Sequence, residues 1–159
     1  MAVRPRVRPR AGFTLVELVV VMVIAVVLLG LTVPGFVKVI ARYQSESAAR
    51  RMVADLRETR ELARMENTSY EIQFFTAADR YHVKRFDSLT ARQRVPLPGP
   101  VDLEHAGFGA SGSVLRFNAH GEPNWNGTVT LKNRVTGERR YVIVSKSGRV
   151  RVSDVSAAE

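Results

Sequence analysis

Three groups of residues in this 159-residue chain have the types and spacing to do chemistry. The first is Gly12, Phe13 and Glu17, at the head of the apolar run AGFTLVELVVVMVIAVVLLGLTVPGFV. A carboxylate one turn into a membrane helix costs about 2.5–3.5 kcal/mol on insertion scales, so such residues are usually paired or functional. A cut after Gly12 would make Phe13 the new terminus. Its cationic amine then lies about one helical turn from Glu17. Within one chain, or between staggered neighbours, the two charges neutralise each other. The plainer alternative is a carboxylate that snorkels to the interface and needs no partner.

The second group is basic. Between Lys132 and Arg151 stand Lys132, Arg134, Arg139, Arg140, Lys146, Arg149 and Arg151, against Glu138 alone. Arg149 and Arg151 are two apart on an expected strand, which puts both on one face. Paired guanidiniums suit phosphate oxygens, which they bind bidentately. Candidate phosphate contacts are therefore Arg149, Arg151, Arg139, Arg140 and Lys146. The alternatives are a solvated basic edge that keeps strands of separate molecules apart, or a contact to an acidic neighbour.

The third group is weak. His82, His105 and His120 are scattered without ligand spacing. Gly107 to Gly112 is glycine-rich, but it lacks the lysine and the strand-to-helix setting of a phosphate loop. Ser111 has no activating base nearby in sequence. No carboxylate pair stands out, and neither a metal nor a cofactor is implied. There is no cysteine, so disulfides, thiol catalysis and thiolate metal sites are excluded.

These groups need elements to hold them. Arg4, Arg6, Arg8 and Arg10 precede the apolar run and account for four of the nine net positive charges. The run is long enough to cross a bilayer core of about 30 Å, with the arginines kept on the cytoplasmic side. An ordinary secretory signal has its cleavage site after a shorter apolar core; here the small residues Ala11 and Gly12 come before it. Pro34-Gly35 should kink the helix. Beyond it, Ala49, Met52, Val53, Leu56 and Ala63 recur at helical spacing opposite Arg50, Arg51, Arg57, Glu58 and Arg64. Asn67-Thr68-Ser69 reads as the stop, giving one helix from Phe13 to Asn67.

From Ser69 the period becomes two. Tyr70, Ile72 and Phe74 form one strand, Thr76 to Asp79 a turn, and Tyr81 and Val83 the return. Val95 to Pro100 reads as an edge or loop, Val101 and Leu103 as a short strand, and Gly107 to Ser113 as a flexible loop. Leu115 and Phe117 form the next strand. Val129 and Leu131 are expected to pair with Tyr141 and Ile143, and Arg149 to Val155 to form the last strand. The fold class is α+β, a long helix packed on one or two antiparallel sheets.

Gly12-Phe13-Thr14-Leu15-Val16-Glu17 resembles the type IV prepilin cleavage and methylation motif, shared by pilins and the pseudopilins of type II secretion. The resemblance implies a prepilin peptidase that cuts after Gly12 and methylates the amine of Phe13. It implies that Glu17 guides assembly by meeting a neighbouring subunit's amine. Pro34 falls where many pilins have a helix-breaking proline. The segments Leu115 to Gly121, Gly127 to Leu131, Tyr141 to Ser145 and Gly148-Arg149-Val150-Arg151 are similar to the GspH/FimT minor pseudopilins. Asp87 to Ser113 carries no resemblance.

The family implies four regions: a leader at 1–12, a transmembrane and assembly half-helix at 13–37, an amphipathic half at 38–67, and a periplasmic β-rich domain at 68–159. It implies a structural, non-enzymatic subunit, single-pass in a bacterial inner membrane, whose partners are the peptidase, other pilin or pseudopilin subunits and the membrane. The filament belongs to a type II secretion system or a type IV pilus. The alternative is a FimT-like minor pilin that binds duplex DNA through Gly148 to Arg151 during natural transformation. A monotopic enzyme anchored by its first helix is the remaining class.

Overall fold

The computed structural model describes residues 12–155, and of residues 31–34 only the backbone; the leader arginines lie outside the described residues. The chain divides into two compact units, 1–37 and 38–159. Helix α1 (Leu15–Met65) contributes to both.

In the first unit, every described side chain from Gly12 to Gly30 is exposed. This part of α1 is long and apolar enough to cross a membrane. The helix continues through Pro34.

In the second unit, the stripe Ala48, Ala49, Met52, Val53, Leu56 and Ala63 is buried and joins one hydrophobic core. The ion pairs Arg50–Glu46, at 2.6 Å, and Arg64–Glu61, at 3.7 Å, brace the exposed side at the favourable spacings of four and three. The helix ends two residues before the expected stop, and Asn67 explains how. With a φ of 48° it occupies the left-handed position after the helix. The N–H of Thr68 donates to the Ala63 carbonyl, at 3.1 Å, and that of Asn67 to Arg64, at 3.4 Å. This is the paired closure of a Schellman end, with asparagine in the place glycine usually holds.

Eight strands follow: β1 (Tyr70–Phe75), β2 (Arg80–Arg85), β3 (Gln93–Pro96), β4 (Val101–Gly107), β5 (Val114–Phe117), β6 (Gly127–Asn133), β7 (Arg139–Val144) and β8 (Val150–Ser153). They form two antiparallel four-stranded sheets, ordered β3-β2-β1-β5 and β4-β6-β7-β8. The inner faces carry Tyr70, Ile72, Phe74, Tyr81, Val83, Leu115 and Phe117 from the first, and Leu103, Val129, Leu131, Val142 and Val144 from the second.

Val95-Pro96 ends an edge strand, β3, one of the two expected outcomes, where proline's missing donor does no harm. Two expectations are corrected. The stretch read as a flexible loop is anchored: β4 runs to Gly107, and the Phe108 ring is fully buried, stacked 5.5 Å from Phe74. The β6–β7 register is one residue away from the expected pairing, with Val129 opposite Val142 and Leu131 opposite Arg140. Both faces of β7 carry apolar residues, so alternation alone does not choose the register. The turn chooses it: the Asn133 N–H donates to the Glu138 carbonyl, at 2.8 Å, and the Asn133 side-chain oxygen accepts from Val135 and Thr136, at 2.9 and 3.1 Å.

Candidate functional site

The processing end is laid out simply. Gly12 and Phe13 precede the helix and are exposed. The hydroxyl oxygen of Thr14 accepts from the backbone N–H of Glu17, at 3.2 Å. Thr14 is thus the N-cap, satisfying one of the donors that a helix start leaves open. Threonine followed three residues later by glutamate is the capping-box spacing, a signal available in the sequence and overlooked there. Glu17 is exposed in the first turn of α1. A carboxylate there complements the positive end of the helix dipole.

The basic C-terminal region is reorganised by the fold. Arg139 closes on Glu104 with two hydrogen bonds, at 2.6 and 2.8 Å. That contact holds the Glu104 carboxyl below its ordinary pKa and raises that of Arg139. Lys132 also reaches Glu104, at 3.7 Å. Between Leu103 and His105 the β4–β6 register slips, so Glu104 is the extra residue of a bulge, a feature that re-aims side chains. Arg134 binds Asp79, at 2.9 Å, and Asp102. Arg140 pairs with Asp154. Of the five candidate phosphate contacts, Arg139 and Arg140 are therefore neutralised. Lys146, Arg149 and Arg151 have no carboxylate partner among the described residues and are exposed.

These three stand at the β7–β8 turn and on β8. Arg149 lies just before β8, and Arg151 sits on it opposite Ile143. The helix adds two cations that the sequence reading did not connect with the turn. Arg57 donates to the Val150 carbonyl, at 2.9 Å, and Arg60 to those of Gly121, at 2.9 Å, and Gly148, at 3.4 Å. Their charges meet carbonyl dipoles rather than carboxylates, so the local field stays positive. Gly148 has a φ of 77°, and a Cβ there would press on the Arg60 Nε and the Gly121 oxygen, each 3.1 Å away. The glycine before Arg149 is thus required by the turn and by Arg60's approach. Arg57 and Arg151 also line a groove of about 520 Å³ with Glu46, Arg50, Arg140 and Val152.

The other candidates separate. His82, His105 and His120 lie on β2, β4 and the β5–β6 loop. The Ser111 hydroxyl accepts from Asn124, at 2.7 Å. Among the described residues no group of three potential ligands is placed to hold a metal.

Residues 7–33 match the prokaryotic N-terminal methylation motif. Residues 48–148 match the family described as type II transport protein GspH. The chain belongs to the GspH family. Its fold resembles the type IV minor pilin FimU of Pseudomonas aeruginosa, with a TM-score of 0.58 at 18% identity over 70% of this chain and 90% of that one. It also resembles the minor pseudopilin EpsH from the type 2 secretion system of Vibrio cholerae, with a TM-score of 0.57 at 13% identity over 69% and 96%. No curated protein matches the chain significantly. This GspH-family chain has the pilin-like fold of structural subunits rather than enzymes, and its methylation motif implies peptidase processing and assembly with other pilin subunits.

Proposed function

We propose that this chain is a minor subunit of a periplasmic filament, in a type II secretion system or a type IV pilus. In this reading it is cut between Gly12 and Phe13 and methylated at Phe13. It is held in the inner membrane by the first half of α1, with residues 38–159 in the periplasm. The observation that carries the reading is the union, in one chain, of the methylation motif at 7–33 and the GspH domain at 48–148. The bare, exposed first unit of α1 supports it, since its apolar surface needs lipid or other subunits to cover it. Intact mass of the protein from host membranes tests it: loss of the first twelve residues plus one methyl is expected. Retention of Arg4 to Arg10 in filament-associated protein refutes it. Co-purification then separates the machines, by recovery with a secretion apparatus or with pilus components.

A second reading, duplex DNA binding, is favoured by one observation. Among the described residues, Lys146, Arg149 and Arg151 have no carboxylate partner while their sequence neighbours Arg139 and Arg140 do. Each phosphate contact releases condensed counterions, so affinity should fall steeply with salt. Replacing Arg149 and Arg151 by Ala should reduce the slope of log affinity against log salt by about 1.8. No binding at low salt by the folded wild-type chain leaves the scaffold role alone.

A further inference from the structure

The ion-pair pattern exposes a second cationic group, on the sheet β3-β2-β1-β5. Its inner face carries Tyr81, Val83 and Val95, so alternate residues face outward. Strand pairing puts Arg94 of β3 directly opposite His82 of β2, with Gln73 of β1 on His82's other side. Arg80 stands two residues before His82 on the same face. Its guanidinium lies 5.7 Å from the centre of the Phe75 ring, and that ring is 4.6 Å from His82.

Most arginines of this unit end on a carboxylate: Arg42 on Glu138, Arg85 on Asp87, Arg92 on Glu66, Arg116 on Glu71. Arg80 and Arg94 have none among the described residues. Arg80, opposite Pro96, and Arg94, opposite His82, stand diagonally across the β2–β3 pair, a spacing long side chains can bridge, so an anion between them would meet two cations that have no carboxylate of their own. Glu71 does not supply one, because it is engaged by Lys84, at 3.3 Å, and by Arg116, at 2.5 Å. His82 lies between the two arginines. Its Nε2 is buried without a partner among the described residues. Burial first, then Arg80 and Arg94, hold its pKa below the ordinary value.

We propose that Arg80, His82 and Arg94 form a docking site for the carboxylates of an acidic segment of a partner protein. Planar guanidiniums match carboxylates in a bidentate fork. β3 is the sheet edge, which leaves Arg94 open to approach. A protein fits this face better than nucleic acid does. The same face carries the apolar groups of Phe75, Val114 and Pro96. Side chains of a protein segment can cover those groups, and a phosphate backbone leaves them bare. The proposal does not depend on which machine the filament serves, and it uses none of the residues at the β7–β8 turn.

Charged groups facing His82 are Arg80 and Lys84 from its own strand and Arg94 from β3, with Glu71 on β1. An anion seated between the two arginines favours protonated His82. By reciprocity, protonating His82 strengthens binding. The test uses the full chain in detergent micelles with isotopically labelled histidines. The chain has three, and His82→Gln assigns the relevant signal. Titration with a hexaglutamate peptide should saturate, should shift the His82 titration upward, and should leave His105 and His120 unmoved. Arg80→Gln with Arg94→Gln should weaken the peptide by about tenfold, two exposed charge contacts' worth. Arg149→Gln with Arg151→Gln should not. Peptide binding that leaves His82 unmoved overturns the proposal, as does a duplex DNA that shifts His82 where the peptide does not. Both outcomes are read on the wild-type chain, whatever the folding of the variants.

Discussion

The hydroxyl of Tyr81, on β2, donates to the carboxylate of Asp55, on α1, and both residues are buried. The Thr59 hydroxyl donates to the Asp55 carbonyl, at 2.6 Å, on the same side of the helix. With the bonds from Arg57 to Val150 and from Asn133 to Ala41, this polar contact helps to set which turn of the helix meets which strand. Tyr81→Phe strands a buried carboxylate and should cost about 1–3 kcal/mol. Asp55→Asn keeps an acceptor for the hydroxyl and should cost less. Denaturant unfolding of the full chain in micelles ranks them, and equal losses would show that the bond itself contributes nothing.

The same contact gives an alkaline limit. Burial, then the bond to Asp55, raise the Tyr81 pKa far above its ordinary value. Burial, then the bond to Glu66, raise that of Tyr70. The unfolded phenols lose protons from about pH 10, so above that point the unfolded chain holds fewer protons than the folded one. Stability is fully present below about pH 10 and falls as pH rises further. Tyr81→Phe should flatten that fall, measured by unfolding at about pH 8, 10 and 11.

Gly127 begins β6 where β4 crowds it. A Cβ there would collide with the Gly107 carbonyl oxygen and the buried Phe108 ring. Gly127→Ala should destabilise by about 1–3 kcal/mol, the range for overpacking. Gly99, with open space around it, is the control: Gly99→Ala should change the midpoint little.

Asn133 is fully buried and holds three backbone groups. Its amide donates to the Ala41 carbonyl, at 2.7 Å, and its oxygen accepts from Val135 and Thr136. Asn133→Ala orphans all of them and should cost at least about 2 kcal/mol. Hydrogen exchange should rise first in the β6–β7 turn. Uniform acceleration over the whole domain would contradict the local role.

At the N-terminus, Glu17→Ala should leave the cut after Gly12 intact and reduce co-purification with other filament subunits. Thr14→Ala removes the cap at about 1 kcal/mol of helix stability and should leave assembly nearly normal. Equal recovery of the Glu17 variant and wild type would mean that its carboxylate serves the helix start alone.

How much of this was legible beforehand depended on where the information lay. The stripe from Ala49 to Ala63 could be read because a half-buried helix repeats every few residues, and Tyr70-Ile72-Phe74 because a half-buried strand alternates. The partners of charges could not. Arg139 stands 35 residues from Glu104, and Arg42 stands 96 from Glu138. A count of seven cations in the tail therefore overstated a patch that the fold trims to Lys146, Arg149 and Arg151. Arg94 met His82 only through β3, a segment whose prolines had argued for an edge or loop. The β6–β7 register slipped because Tyr141 and Ile143 are as apolar as Val142 and Val144. Thr14 was legible as a cap; attention to Glu17's charge hid its role in the backbone.

The cap at Thr14 leaves Phe13 as the single residue between the expected cut and the helix. A chain cut after Gly12 would carry its new cation at the positive pole of aligned peptide dipoles, where such a charge is disfavoured by about 0.3–1 kcal/mol. A solitary copy then has only its own Glu17, a turn away, to offset that charge, and a carboxylate from another copy would offset it further. Proteolysis in that case does more than shorten the chain: it turns a quiet helix start into one that favours company.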